Sequence, residues 1–375
     1  MAGVYIHIPF CRQACTYCNF HFSVSLKNKE AIVSAIIKEI SFKTDFITDE
    51  NIETIYIGGG TPSLLSPADL EIIFKTLSNR FQISPDAEIT LEANPDDINP
   101  IILNKWQQLG INRLSVGLQS FNEAELKWMN RAHNAEQSIQ CLDDITKAGF
   151  TNYSVDLIYG SPMQSDDDLI RNFEIIAQKK VPHISCYALT AEPGTALNNS
   201  ILNKTGAPID SNKQSEQFYL LLDMMASQEY EQYEISNFAM KGFQSRHNSS
   251  YWHGKPYFGF GPSAHSFNGH DKRRWNISNN SLYLQAVEKN IIPYEEEILN
   301  DVQRLNEYVM TSLRTIEGLN IDFVKINFGK ENAERIIHDA EKYLKNRKII
   351  LAGSSIMLTK EGKFFADGIA AELFG

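Results

Sequence analysis

Thr54-Ile55-Tyr56-Ile57-Gly58-Gly59-Gly60-Thr61-Pro62 (residues 54–62) is a β-branched and aromatic run that stops in three glycines. An amphipathic stretch follows at 67–80, with a proline where a first helical turn accepts one. This is one β/α unit, and the same alternation extends to both sides. Strands are predicted at 4–8, 54–57, 88–92, 113–117, 153–158 and 184–189, with helices at 29–44, 67–80, 100–109, 135–148, 166–178 and 212–227. Six such units in series read as a parallel sheet with right-handed crossovers. Past Leu189 the alternation fades, so an open (β/α)6 barrel fits better than a closed eight-unit one.

The remaining chain changes character. Residues 231–295 form a connecting segment rich in aromatic, Gly, Asn and His residues, with weak periodicity. From 296 to 375, helices at 301–315 and 331–347, a hairpin at 349–359 and a last helix at 362–373 suggest a small winged-helix-like domain. The barrel is expected over residues 1–230.

Composition narrows the function. Of 375 residues, 46 are acidic and 35 basic, a net charge of −11 that repels a phosphate backbone. Lys272-Arg273-Arg274 is the densest basic cluster and reads as a solvated loop, so no nucleic-acid partner is expected. No stretch approaches the ~18 apolar residues of a membrane span, and the first residues lack the marks of a signal peptide. A cytoplasmic protein is expected.

Polar residues track the C-terminal ends of the predicted strands, the rim where β/α barrels assemble active sites. Five cysteines occur, three of them within eight residues: Cys11, Cys15 and Cys18. In a reducing compartment such a cluster points to a metal or cofactor site. Cys-x-x-x-Cys-x-x-Cys supplies three thiolates, suited to three irons of a cubane whose fourth iron binds an exogenous chelator. The alternative is a zinc knuckle, for which only His21 is near enough to be the fourth ligand. Cys141 and Cys186 read as small core residues. The glycines at 58–60 permit close backbone approach to a ligand. Strand alternation puts His7 on the face of Tyr5.

The cysteine spacing with Gly-Gly-Gly-Thr-Pro resembles the radical S-adenosylmethionine proteins. More narrowly, Tyr5-Ile6-His7-Ile8-Pro9-Phe10-Cys11, Leu157-Ile158-Tyr159-Gly160 and the C-terminal part are similar to the oxygen-independent coproporphyrinogen oxidase group, over nearly the whole chain. The resemblance implies a [4Fe–4S] cluster on Cys11, Cys15 and Cys18. It also implies S-adenosylmethionine contacts at Tyr5, Tyr17, Gly59, Gly60, Thr61, Glu92, Gln119, Arg131 and Asp156.

Within that group, the dehydrogenases resemble Cys-x-x-x-Cys-x-x-Cys-x-Cys and carry an N-terminal extension. Here Phe20 stands at the last cysteine position and the chain starts at the strand. Both differences point to the sister group of heme chaperones, as does His-Asn-x-x-Tyr-Trp at 247–252. That signature implies heme binding through His247, Asn248, Tyr251 and Trp252, with His253 and His265 as alternative ligands. Imidazole can ligate heme iron, and the aromatic rings offer flat apolar surface. The chaperone reading implies heme-accepting respiratory proteins as partners, and it leaves open peripheral membrane contact and a heme-bound dimer. The rival is an enzyme that oxidatively decarboxylates coproporphyrinogen III.

Overall fold

The computed structural model describes residues 1–42 and 46–375. Six parallel strands run in chain order: β1 (Ala2–Ile8), β2 (Asn51–Gly59), β3 (Gln82–Ala93), β4 (Arg113–Gln119), β5 (Tyr153–Tyr159) and β6 (His183–Ala188). Each predicted strand is present, most of them longer than the apolar run that signalled it. Alternation along β1 sends Val4, Ile6 and Ile8 into the main core and leaves Tyr5 and His7 on the other face.

The intervening helices start where local chemistry favours them. Pro67–Arg80 opens on a capping box between Ser66 and Asp69, and Asp166–Gln178 on one between Ser165 and Asp168. Apolar stripes such as Ile32, Ile36 and Ile40 of helix Lys29–Ser41 then pack on the sheet. The predicted end of that helix at residues 43 and 44 lies outside the described residues.

Residues 231–295, expected as a connecting segment, are woven into the same sheet. β7 (Glu231–Glu234) and β8 (Asn237–Ala239) extend it beyond β6. β9 (Tyr257–Phe260) joins the opposite side, parallel to β1, and β10 (His265–Phe267), β11 (Lys272–Asn276) and β12 (Tyr294–Ile298) follow antiparallel. The short runs and frequent turns of this segment hide its strands from a periodicity search.

Two charged features explain how the additions hold. The Glu39 carboxylate, in the apolar face of its helix, accepts hydrogen bonds from Gly261 N, Asn276 Nδ2 and Tyr283 OH at 2.6–2.8 Å. It pins the β9–β12 extension to the barrel. Lys272-Arg273-Arg274 is strand β11 and not the expected loop. Its arginines pair with Glu307 and Glu296 across to neighbouring elements.

The C-terminal residues form a second apolar core around Leu305, Val309, Val324, Ile336 and Ile356. It joins helices Asp301–Leu313, Ile321–Phe328 and Lys330–Lys345 to a three-stranded sheet ordered β13 (Leu319–Asn320), β15 (Ser355–Leu358), β14 (Ile349–Ala352). Arg314 ties this unit to the sheet through the buried Glu234 at 2.9 Å. Its guanidinium also lies 5.3 Å from the Trp252 ring centre. Among the described residues, no helix is long and apolar enough to cross a membrane.

Candidate functional site

Strand register sets the first level of the site. Glu92 of β3 lies opposite Ser115 of β4, and Asp156 of β5 is flanked by Gly117 of β4 and Ser185 of β6. All five residues border one cavity of about 530 Å³ at the strand C-termini. That volume falls in the range of small-molecule sites.

The cysteine loop covers this cavity. Thr16 is gripped on both sides of its peptide, its N–H donating to Met129 O at 3.0 Å and its carbonyl accepting from Leu197 N at 2.8 Å. Asn130 Nδ2 adds a bond to Ala14 O at 2.7 Å. Cys11, Cys15 and Cys18 are free thiols, all half-buried, and all three border the cavity. Cys141 and Cys186 are buried in the core, as expected.

Arg131 connects the loop to the strands. Its Nη1 lies 3.3 Å from Cys15 Sγ, and Nη2 donates to Asn94 Oδ1 at 2.9 Å and Gly117 O at 2.6 Å. Its Nε is buried without a protein partner among the described residues. Burial pushes the Cys11 thiol up to about 11, against a hydrogen bond with Thr61 that acts the other way. Tyr17 borders the same space and bonds to Cys15.

The glycine run cradles the wall between loop and strands. A methyl group on Gly60 would lie 2.6 Å from Phe10 O, and Gly59 holds a left-handed φ of +112°. Gly59 N donates to Glu92 Oε2 at 3.0 Å while Tyr56 OH donates to Oε1 at 2.7 Å. Gln119 ends β4 at φ +69°, a strained backbone for a residue other than glycine. Burial pushes Glu92 up to about 7 and Asp156 up to about 6. Two enclosed carboxylates near neutrality suit a cationic ligand. The three thiols on one loop likewise fit the donor set of a cubane cluster.

Tyr5 is the exception among the residues expected here. β1 lies beside β9, so Tyr5 borders a second, larger cavity of about 990 Å³. Its hydroxyl pairs with His7 Nδ1 at 3.1 Å, and its ring stacks on Tyr56 at 6.1 Å. His21 borders that second cavity as well, with Nε2 against Asn280 Oδ1 at 2.8 Å. It is therefore turned away from the cysteines, and the zinc-knuckle arrangement is not formed. Among the described residues no three such side chains converge on a single-ion site.

The His-Asn-x-x-Tyr-Trp stretch is helix Arg246–Trp252, lodged against the barrel. Glu88 accepts from the N–H groups of Arg246 and His247 at 3.1 and 2.9 Å. His247 is 1 % exposed, with Nδ1 2.8 Å from Thr54 Oγ1 and Nε2 2.8 Å from Tyr251 OH. Both ring nitrogens are engaged and the ring is buried, so in this arrangement neither nitrogen is open to an iron ion. Asn248 borders the first cavity, whereas Tyr251 and Trp252 border the second. Tyr56 and Ser185 escaped the sequence reading, although period-2 alternation before Gly58 and beside Cys186 placed both inward.

Comparison with known proteins follows the same lines. The model of the radical SAM superfamily matches residues 5–176. The chain is 31% identical over its full length to the heme chaperone HemW of Mycobacterium tuberculosis, covering 95% of that protein. It is also 31% identical to HemW of Lactococcus lactis, over 93% of this chain and 90% of that one. The solved coproporphyrinogen III oxidase (HemN) of Escherichia coli shares its fold, with TM-score 0.85 and 22% identity over 100% of this chain and 90% of that one.

Proposed function

The chain belongs to the HemW heme chaperone family of the radical SAM superfamily, and from that premise we propose that it binds heme, a [4Fe–4S] cluster and S-adenosylmethionine and passes heme to acceptor proteins in the cytoplasm. The observation that carries the cofactor reading is the joint wall of Cys11, Cys15 and Cys18 with Glu92 and Asp156 around one cavity. The three thiols would hold the cluster. Glu92 and Asp156 would accept from the amine and ribose hydroxyls of S-adenosylmethionine, and the Gly59–Gly60 backbone would lie against it. Bound together, these two groups supply one-electron chemistry.

The residues around them do three things. Arg131 offsets negative charge on sulfur and orders Asn94 and the β4 backbone. Tyr56 and Gly59 N hold the Glu92 carboxylate so that it does not rotate away from the cavity. Phe20, 67% exposed, brings no fourth thiol to the loop and stands between the two cavities.

The test is a hemin titration of the reconstituted chain followed by desalting, with Soret absorbance as readout. Retention of heme, with no decarboxylation of coproporphyrinogen III under anaerobic reducing conditions, supports the chaperone reading. Loss of heme on the column together with formation of protoporphyrinogen replaces it with the enzyme reading.

A further inference from the structure

The second cavity lies between the sheet extension and the C-terminal helices, and it meets the first cavity at Asn19 and Phe20. From its walls we infer that the cavity is the heme seat, with His265 as the iron ligand and Arg273 and Arg304 at the propionates, and that His247 is a positioning residue. The inference rests on the chaperone reading and specifies its site.

Size and surface come first. At about 990 Å³ the cavity is nearly twice the first one, and Tyr251, Trp252, Phe267 and Tyr308 give it flat ring surface. A macrocycle needs such walls, whereas a small polar metabolite does not.

The choice of ligand follows from which imidazole nitrogens are already used. His7 donates from Nε2 to the His21 carbonyl at 2.9 Å, which leaves Nδ1 to accept from Tyr5. His21 is held by Asn280, while His253 and His270, which also border the cavity, each face a carboxylate, Glu317 at 3.9 Å and Asp271 at 3.5 Å. His265 borders the cavity, and no hydrogen bond engages its ring among the described residues. Its ring rests on Trp275, centres 6.1 Å apart.

Charge supports the orientation. Arg273 and Arg304 border the cavity and keep 37% and 25% of their side chains exposed. Their present partners are Glu307 and Asp301, carboxylates that a propionate would replace in kind. With Lys255 counted against Glu307 and Glu317, the lining carries a positive balance in a chain of net charge −11. His247 borders neither cavity. Its two hydrogen bonds fix Tyr251 against Thr54 of β2, so that it orders one wall without touching the cargo.

The experiment uses the full chain, with hemin and metal-free protoporphyrin IX as paired probes, comparing wild type with His265→Ala, His247→Ala and Arg273→Ala. His265→Ala is expected to bind hemin at least about tenfold more weakly and to lose the imidazole-ligated spectrum, with protoporphyrin IX binding unchanged. His265→Gln, closer in volume, should repeat that result. Arg273→Ala should weaken both probes alike, and His247→Ala should keep the imidazole spectrum of whatever hemin it binds. If wild type binds hemin and His265→Ala keeps both affinity and spectrum, or if His247→Ala alone loses the spectrum, the site assignment is overturned while the chaperone reading stands. If wild type binds no hemin, both fall.

Discussion

Arg131 Nη1 lies 3.3 Å from Cys15 Sγ, although 116 residues separate the two in the chain. The same guanidinium donates to Asn94 and to the Gly117 carbonyl, so one side chain reads the state of the loop and of two strand ends. Replacing Arg131 by Ala leaves those acceptors enclosed without their donor, at a cost of about 1–3 kcal/mol each. Arg131→Ala is expected to lower iron retained after anaerobic reconstitution and gel filtration, and Arg131→Lys to recover part of it. Retention equal to wild type in Arg131→Ala would separate the arginine from the cluster.

Each of Cys11→Ala, Cys15→Ala and Cys18→Ala should abolish the reconstituted cluster, because three thiolates from one loop leave no protein ligand to spare. Iron and sulfide analysis of the reconstituted protein decides it. Full occupancy in any single variant contradicts the three-thiolate assignment.

Glu92 near 7 and Asp156 near 6 make cofactor binding depend on pH. Burial is the main cause in both, and Arg131 pulls Asp156 the other way. Below these values both carboxyls hold protons, and the amine and ribose hydroxyls of S-adenosylmethionine lose their charged acceptors. Affinity measured by equilibrium dialysis on reconstituted protein should fall about tenfold from pH 8 to pH 6. Glu92→Gln should bind weakly at pH 8 and show a flatter profile.

Glu39 gives a pH effect on stability away from the site. Burial raises it to about 7 from an ordinary 4.5, while Tyr283, Gly261 and Asn276 bond to the charged form. The folded chain therefore binds this proton more tightly than the unfolded chain. Its contribution is fully present below about 4.5 and is lost as pH rises through 7. Glu39→Gln should remove on the order of 3 kcal/mol of the fall between pH 5 and pH 8. Urea unfolding at both pH values measures it, and parallel profiles would refute it.

Gly60 and His247 test packing at two depths. An added Cβ at Gly60 meets the Phe10 backbone at 2.6–2.9 Å, so Gly60→Ala should cost at least about 2 kcal/mol and displace the loop that carries Cys11. His247→Ala leaves the hydroxyls of Thr54 and Tyr251 without their shared partner and should cost about 2–4 kcal/mol. Thermal unfolding reads both, and a change below about 0.5 kcal/mol in either would remove the packing argument.

The six β/α units were legible because each rests on local signals: apolar runs, glycines at strand ends and helix-starting Ser, Asn or Pro residues. The inward set on β2 was legible in part, since Gly58–Gly60 stood out and Tyr56 did not. The strands of 231–295 were hidden, being three to five residues long and separated by turns. Helix Ile321–Phe328 was missed for a different reason: its apolar residues Ile321, Phe323, Val324, Ile326 and Phe328 do not follow one helical face, and only Val324 is buried.

By itself the sequence determined the barrel, the three-thiol loop and the kinship, since spacing and periodicity are properties of neighbouring residues. Only the tertiary structure decided where single side chains look. Tyr5 faces the second cavity because β9, some 250 residues later, pairs beside β1. His247 is spent on Thr54 and Tyr251 because its helix folds back against β2. Among the described residues, no segment brings a donor or acceptor to the ring nitrogens of His265, which borders the second cavity. Whether an imidazole is a ligand or a brace depends on such distant partners, and those are set by how the sheet closes around its edges.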